Sequence, residues 1–266
     1  GNVVVSGLTV SENAATSVAG GIGTTEDSFI TVLESTISGN TSGFAGGGVT
    51  LADGATMNLV ATTIEDNDAT NGGGVLLGIG AELVGGSVLS NSATTGGGVQ
   101  GGGGNTLQDV LIQDNDAENG GGVVLIDSAD VFGCTLRDNV ATLSGGGGSL
   151  ANGTYDFENT TVIDNRAENL ILTYGGGLTA ANVELLNGTL QGNSAAIGGG
   201  LAIFPGGSGL FTGSDVTNTA IVGNDASQAG GGIWASASTT ASNVTISQNT
   251  AGVSGGGAVL SNDNRN

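Results

Sequence analysis

One short phrase recurs ten times along this chain, each time centred on an asparagine: Asn13, Asn40, Asn67, Asn91, Asn115, Asn139, Asn165, Asn193, Asn224 and Asn249, at intervals of 24 to 31 residues. Three residues before each stands an aliphatic: Val10, Ile37, Ile64, Val88, Ile112, Leu136, Val162, Leu190, Ile221 or Ile246. Two residues after it stands alanine in nine cases, with Ser42 the exception. A glycine cluster follows five to ten residues on, in most cases leading into Val, Leu or Ile. A period of this size marks a solenoid, in which one repeat is one turn of structure.

The stretch GGGVTLADGATMNLVATTIEDN, residues 46–67, shows what each turn is made of. Val49 and Leu51 alternate with polar residues as in a short strand, Ala52-Asp53-Gly54 signals a turn, and MNLVATTI forms a second extended run with Thr62 and Ile64 on one face. Helix is a poor reading, because glycine triplets cost about 1 kcal/mol per glycine inside one. Strands stacked coil on coil at about 4.8 Å give a rod of roughly 48 Å for ten coils. Hexapeptide rhythm is absent, aspartate never falls where a calcium-binding nonapeptide needs it, and propeller blades need repeats of about 40 residues. The expectation is an all-β chain, a single right-handed parallel β-helix (β-solenoid) of about ten coils forming one domain over residues 1–266.

Composition narrows the partners. Gly supplies 54 of 266 residues, but with one proline and no G-X-Y period collagen is excluded, and regularly spaced aliphatics argue against disorder. The 24 acids face three arginines (Arg137, Arg166, Arg265), with no lysine or histidine, for a formal net charge of −21. Such a chain has no basic patch for nucleic acid or anionic membrane, and it attracts cations. Cys134 is the single cysteine, so no intrachain disulfide forms, and it reads as a small buried hydrophobe on a strand. No run reaches the roughly 18 apolar residues of a membrane helix, so membrane insertion is not expected. Without a signal peptide, and starting at Gly1, the sequence reads as a mature or excised segment. An extracellular or cell-surface location follows from the fold type.

Within the repeat, stacked asparagines can each donate to the next while satisfying a backbone bend, since Asn tolerates left-handed and turn conformations. Alanine fits a tight corner, and glycine allows positive φ and close approach of coils. GGGV at 46–49, 72–75, 96–99 and 120–123, with IEDN at 64–67 and IQDN at 112–115, resembles the GGA[ILV] and FxxN repeats of chlamydial polymorphic outer-membrane proteins. That resemblance implies a β-helical passenger of an autotransporter adhesin. Here Ile, Val or Leu replaces the family's Phe, and no barrel domain follows.

Chemistry has few places to reside. Asp66, Asp114, Asp138 and Asp164 precede anchor asparagines, as does Glu12, while Asp68, Asp116 and Asp225 follow them. Asp114, Asp138 and Asp164 belong to consecutive coils and would stack about 5 Å apart. They are either solvated turn residues, partly neutralised by Arg137 and Arg166, or oxygen ligands for Ca²⁺. A polysaccharide lyase would need cations to neutralise a uronate carboxylate, and a hydrolase would need two carboxylates facing each other across a groove. Without histidine a Ser-His-Asp triad is impossible. A threonine column four residues before the asparagines lacks the second matching column of an ice-binding face, and β-propensity accounts for it.

Two insertions break the rhythm, at 168–174 and 204–211, and their aromatics and proline (Tyr174, Phe204, Pro205, Phe211) form a candidate partner loop for a carbohydrate or a surface protein. Neither end carries an amphipathic cap. Residues 255–266 joined to 1–13 span 25 residues from glycine triplet to anchor asparagine, within the 19 to 27 of intact coils. The expected partner is therefore a second copy stacked head to tail, or the rest of a longer solenoid. The functional expectation is a non-enzymatic extracellular stalk, adhesin or filament subunit, with a carbohydrate-active β-helix as the alternative.

Overall fold

The computed structural model describes residues 2–169, 173–205 and 213–261. Its 40 short strands form four parallel ten-stranded sheets, and each coil contributes one strand to every sheet. In the third coil these are Thr56–Val60 in the first sheet, Thr63–Glu65 in the second, Asp68–Asn71 in the third and Val75–Leu77 in the fourth. The chain is a parallel β-solenoid of about ten turns.

Four strands per coil replace the two extended runs expected from sequence, and backbone dihedrals explain the difference. The run MNLVATTI is broken at Ala61 (φ +48°), and Asp66 (φ +54°), Gly72 (φ +60°) and Gly80 (φ +67°) mark the other three corners. A single left-handed residue turns the chain sharply without disturbing the in–out alternation on either side, so periodicity alone does not reveal it. Every residue immediately before an anchor asparagine has φ between +52° and +66°, from Glu12 to Gln248. The asparagines themselves are not left-handed. The bend falls one residue earlier than the sequence suggested.

Freed from the bend, the asparagine side chains point inward and stack. From Asn13 to Asn249, each Nδ2 donates to the Oδ1 of the next asparagine at 2.9–3.0 Å. The same Oδ1 accepts the preceding asparagine's backbone N–H at 2.9–3.1 Å. The amide also reaches a carbonyl one coil back, as Asn67 Nδ2 does to Ile37 O at 3.0 Å. Buried polar groups are thereby satisfied at every level, the condition for keeping them in a core.

Beside this ladder runs the aliphatic column, in strict register: Ile37 pairs with Ile64, Ile64 with Val88, Val88 with Ile112 and Ile112 with Leu136. All five are fully buried, and each contributes about 1.5–3 kcal/mol by leaving water. The repeat's alanines stand not at a corner but inside the third sheet, where Ala69, Ala93, Ala117 and Ala141 pair in register and all but the half-buried Ala93 are buried. The glycine triplet serves the same stack. A Cβ on Gly73 would lie 2.2 Å from Ser92 O, and one on Gly74 would lie 2.7 Å from a Val88 methyl and 2.9 Å from Asn91 Nδ2. Glycine is required there because the next coil's aliphatic and asparagine occupy the space a side chain would need.

A second polar column was not anticipated. Five residues before the asparagines, Thr62, Thr160 and Thr219 each set one hydroxyl donor within hydrogen-bond distance of two carbonyls at the corner between the first and second sheets. Cys134 occupies this column, its Sγ set 3.5 Å from Leu107 O and 3.4 Å from Phe132 O. It is a buried corner thiol standing in for a hydroxyl rather than a strand hydrophobe.

Candidate functional site

The acidic residues singled out from sequence divide into two columns on either side of the asparagine ladder. Asp66, Asp114, Asp138 and Asp164 lie in the left-handed corner column, where a short polar residue is favoured for conformational reasons. Asp68 and Asp116 open strands of the third sheet, and Ser92 stands between them in register. Several carboxylates are occupied locally: Gln113 Nε2 donates to Asp114 Oδ2 at 2.8 Å, and Arg137 Nε meets Asp138 Oδ2 at 2.8 Å. Arg166 pairs with Glu168 instead of Asp164. Among the described residues, no three Asp, Glu, Cys or His side chains gather into a group that could hold a metal ion.

The sequence reading missed a different acidic stack. Asp130, Asp156, Glu184 and Asp215 pair in register on the first sheet, one per coil over four consecutive coils. All four stand nine residues before an anchor asparagine, a constant offset that would have found them. Burial and then the neighbouring Asp130 charge raise the Asp156 carboxyl above its ordinary value. Beside it is a shallow depression of about 130 Å³ lined by Phe132, Asp156, Phe157, Glu158, Glu184 and Leu186. The third sheet carries a wider hollow of about 450 Å³, bordered by Asp68, Thr70, Ser92, Thr94 and Glu118.

The aromatics flanking the two insertions converge. Tyr174 and Phe204 meet edge to face with ring centroids 4.8 Å apart, and Phe204 lies 5.0 Å from Trp234 with the planes tilted by 47°. Tyr174 and Trp234 are 6.2 Å apart, so Phe204 is the middle ring of a row. Backbone bonds hold the residues that carry the rings. Tyr174 bridges Ser144 and Ile197, and its carbonyl accepts from Thr179 Oγ1 at 2.8 Å. Phe204 N–H donates to Ala180 O at 2.9 Å, and Trp234 pairs with Ala202 in the fourth sheet. Pro205 is exposed at the end of this described segment, and Phe211 lies outside the described residues. Trp234 sits in an ordinary coil, with no rhythm break to mark it in sequence.

The three rings are half-buried, whereas Tyr155 and Phe157 belong to the core. Ala202 alternates with the core residues Leu201 and Ile203 and so points outward, yet it is fully buried at the level of the ring row. The outward column that leads to Trp234, through Gln100, Val124, Ser149, Thr179 and Ala202, carries no charge. The surface therefore separates by position: a carboxylate stack on the first sheet, and a neutral aromatic row where Tyr174, at the edge of the third sheet, meets Phe204 and Trp234 beside the fourth. Compared with known proteins, the chain matches no family model, no curated protein and no solved structure.

Proposed function

We propose that this β-solenoid is a non-enzymatic structural rod, an extracellular or cell-surface stalk or adhesin module whose coils continue onto further coils of a second copy or of a longer solenoid. The observation carrying this reading is the state of the two terminal coils. The aliphatic and asparagine ladders run to both without a covering element among the described residues. Inward positions that are sealed elsewhere open to solvent there: Ile246 is 38% exposed and Leu260 74%, against 0% for Ile221. At the other end Val3 is 50% exposed. The edges are also polar complements. Asn13 Oδ1 accepts no hydrogen bond among the described residues, and the Asn249 backbone N–H is the donor such an acceptor takes in every other coil. Unpaired parallel strands above an exposed core recruit further strands. The repeats' resemblance to those of polymorphic outer-membrane proteins supports placing the rod on a cell surface.

Sedimentation and negative-stain microscopy of the purified chain test the stacking. Rods longer than about 48 Å should form, more readily in salt that screens the acidic charge, and Ile246→Lys should disperse them. Short single rods at high concentration and high salt would contradict stacking between copies.

One observation favours a second reading, a polysaccharide hydrolase. Asp130, Asp156 and Glu184 stand one strand spacing apart, about the 5 Å of a retaining pair, and burial raises the Asp156 carboxyl above its ordinary value. They project from one sheet face rather than across a groove, so the structural reading is preferred. Release of reducing ends from a neutral polysaccharide, abolished by Asp156→Asn, would reverse that preference.

A further inference from the structure

We infer that the row Tyr174–Phe204–Trp234 is a binding platform for an uncharged saccharide, independent of the end-to-end stacking. The aromatic inventory is the first reason. The chain has nine aromatic residues, and its only tryptophan, one of its two tyrosines and one phenylalanine come together from three successive coils. In a solenoid whose core is filled mainly by aliphatics, with Tyr155 and Phe157 already inside, half-buried rings on the outside are not needed to fill the interior. Partly exposed tyrosine and tryptophan present an apolar face together with a polar handle, the hydroxyl or the indole N–H.

The second reason is where the repeat breaks. One rhythm break ends at Tyr174 and the other begins at Phe204, so both detours border the same row. A repeat that only had to stack would gain nothing from either, and solenoid insertions gather on the binding face.

Charge selects the ligand class. The chain carries −21, and two of its three arginines, Arg137 and Arg166, are tied to Asp138 and Glu168. Uronates, phosphates and nucleic acids would meet repulsion without a cationic anchor. A cationic ligand would be drawn to the carboxylate stack of the first sheet, whereas the column leading to Trp234 has no carboxylate. A pyranose combines an apolar C–H face, which lies on an aromatic ring, with a rim of hydroxyls. Those hydroxyls can reach Tyr174 Oη, Trp234 Nε1 and the hydroxyls of neighbouring coils.

Trp234 is the only tryptophan, so its own fluorescence reports the site. The whole chain would be titrated with gluco-, manno-, xylo- and galacto-hexaoses, with oligogalacturonate and tetramethylammonium as charged controls. The expected result is a saturable emission change with at least one neutral hexaose, insensitive to salt, and none with oligogalacturonate. By calorimetry, Trp234→Ala and Phe204→Ala should each weaken that binding about tenfold, and Trp234→Phe should recover most of it. Tyr174→Ala provides the same test should Trp234→Ala lose its far-ultraviolet dichroism. Absence of a saturable change with all four hexaoses, unaltered affinity in these variants, or saturation by tetramethylammonium alone would overturn the proposal.

Discussion

Asn115 gives both its backbone N–H and a side-chain N–H to the single Oδ1 of Asn139, at 3.1 and 2.9 Å. Replacing Asn139 by alanine would leave the Asn115 backbone N–H without its acceptor, while the Asn115 side-chain amide would keep the Val88 and Gln113 carbonyls; the Ile112 carbonyl would lose the amide bond from Asn139. A buried orphan donor costs about 1–3 kcal/mol, so Asn139→Ala should destabilise by about that amount. At the open end, Asn13→Ala keeps the backbone donor to Asn40 and should cost less than about 1 kcal/mol. Urea unfolding of the two variants measures the contrast. Equal losses would mean that the stacked amides add nothing beyond a local turn.

The left-handed corner column makes a different prediction for the acidic residues. Asp114 has φ +56°, a conformation that glycine and asparagine adopt readily and β-branched residues do not. Asp114→Gly and Asp114→Asn should stay within about 1 kcal/mol of the parent, while Asp114→Val should lose about 1–2 kcal/mol. Thermal melts in Ca²⁺ and in chelator complete the test. A calcium-dependent rise in Tm that disappears in Asp114→Asn would show that the carboxylate is retained as a ligand.

Cys134 should behave as a hydroxyl in disguise. Burial pushes its thiol up to about 12, so it is uncharged and unreactive at neutral pH. An aromatic disulfide reagent should label it only after unfolding. Cys134→Thr should be tolerated within about 1 kcal/mol, because Thr62 and Thr160 already make the same pair of carbonyl contacts. Rapid labelling of the folded chain would contradict the corner geometry.

Stability should rise on mild acidification. Asp156 is raised by burial and then by Asp130, and Asp116 by burial and then by Glu168. A carboxyl with a raised folded-state value binds its proton more tightly folded than unfolded. Its contribution is thus complete below the unfolded value near 3.8 and is lost as pH climbs through the folded one. The urea midpoint should increase from neutral pH toward about pH 4.5, and Asp156→Asn should flatten part of that slope. An unchanged slope in the variant would remove Asp156 as a contributor.

Much of the fold was legible because a solenoid repeats its constraints. The Ile64 and Asn67 spacing recurs ten times, and residues that recur at one phase of a coil must stack, as the register confirms. The four-strand coil was not legible at Ala61, because nothing in an alanine announces a positive φ. Tyr174 and Phe204 stood out through the insertions beside them. Trp234 did not, since its place in the row depends on which residue lies one coil below it.

The sequence by itself determined the period, the parallel β-solenoid, the inward aliphatic and asparagine columns and the glycines that admit them. These are set by nearest-neighbour stacking, which a one-dimensional pattern encodes. Tertiary structure alone decided where the left-handed corners divide the coil into four faces. It thereby decided which outward residues meet: Asp130, Asp156 and Glu184 stack on the first sheet, and Tyr174 at the edge of the third meets Phe204 and Trp234 beside the fourth. Outward residues are free of the core's packing requirements: the carboxylate stack is marked only by its constant offset from the anchor asparagines, and the aromatic row, whose members lie at different phases of the coil, is brought together by the winding alone.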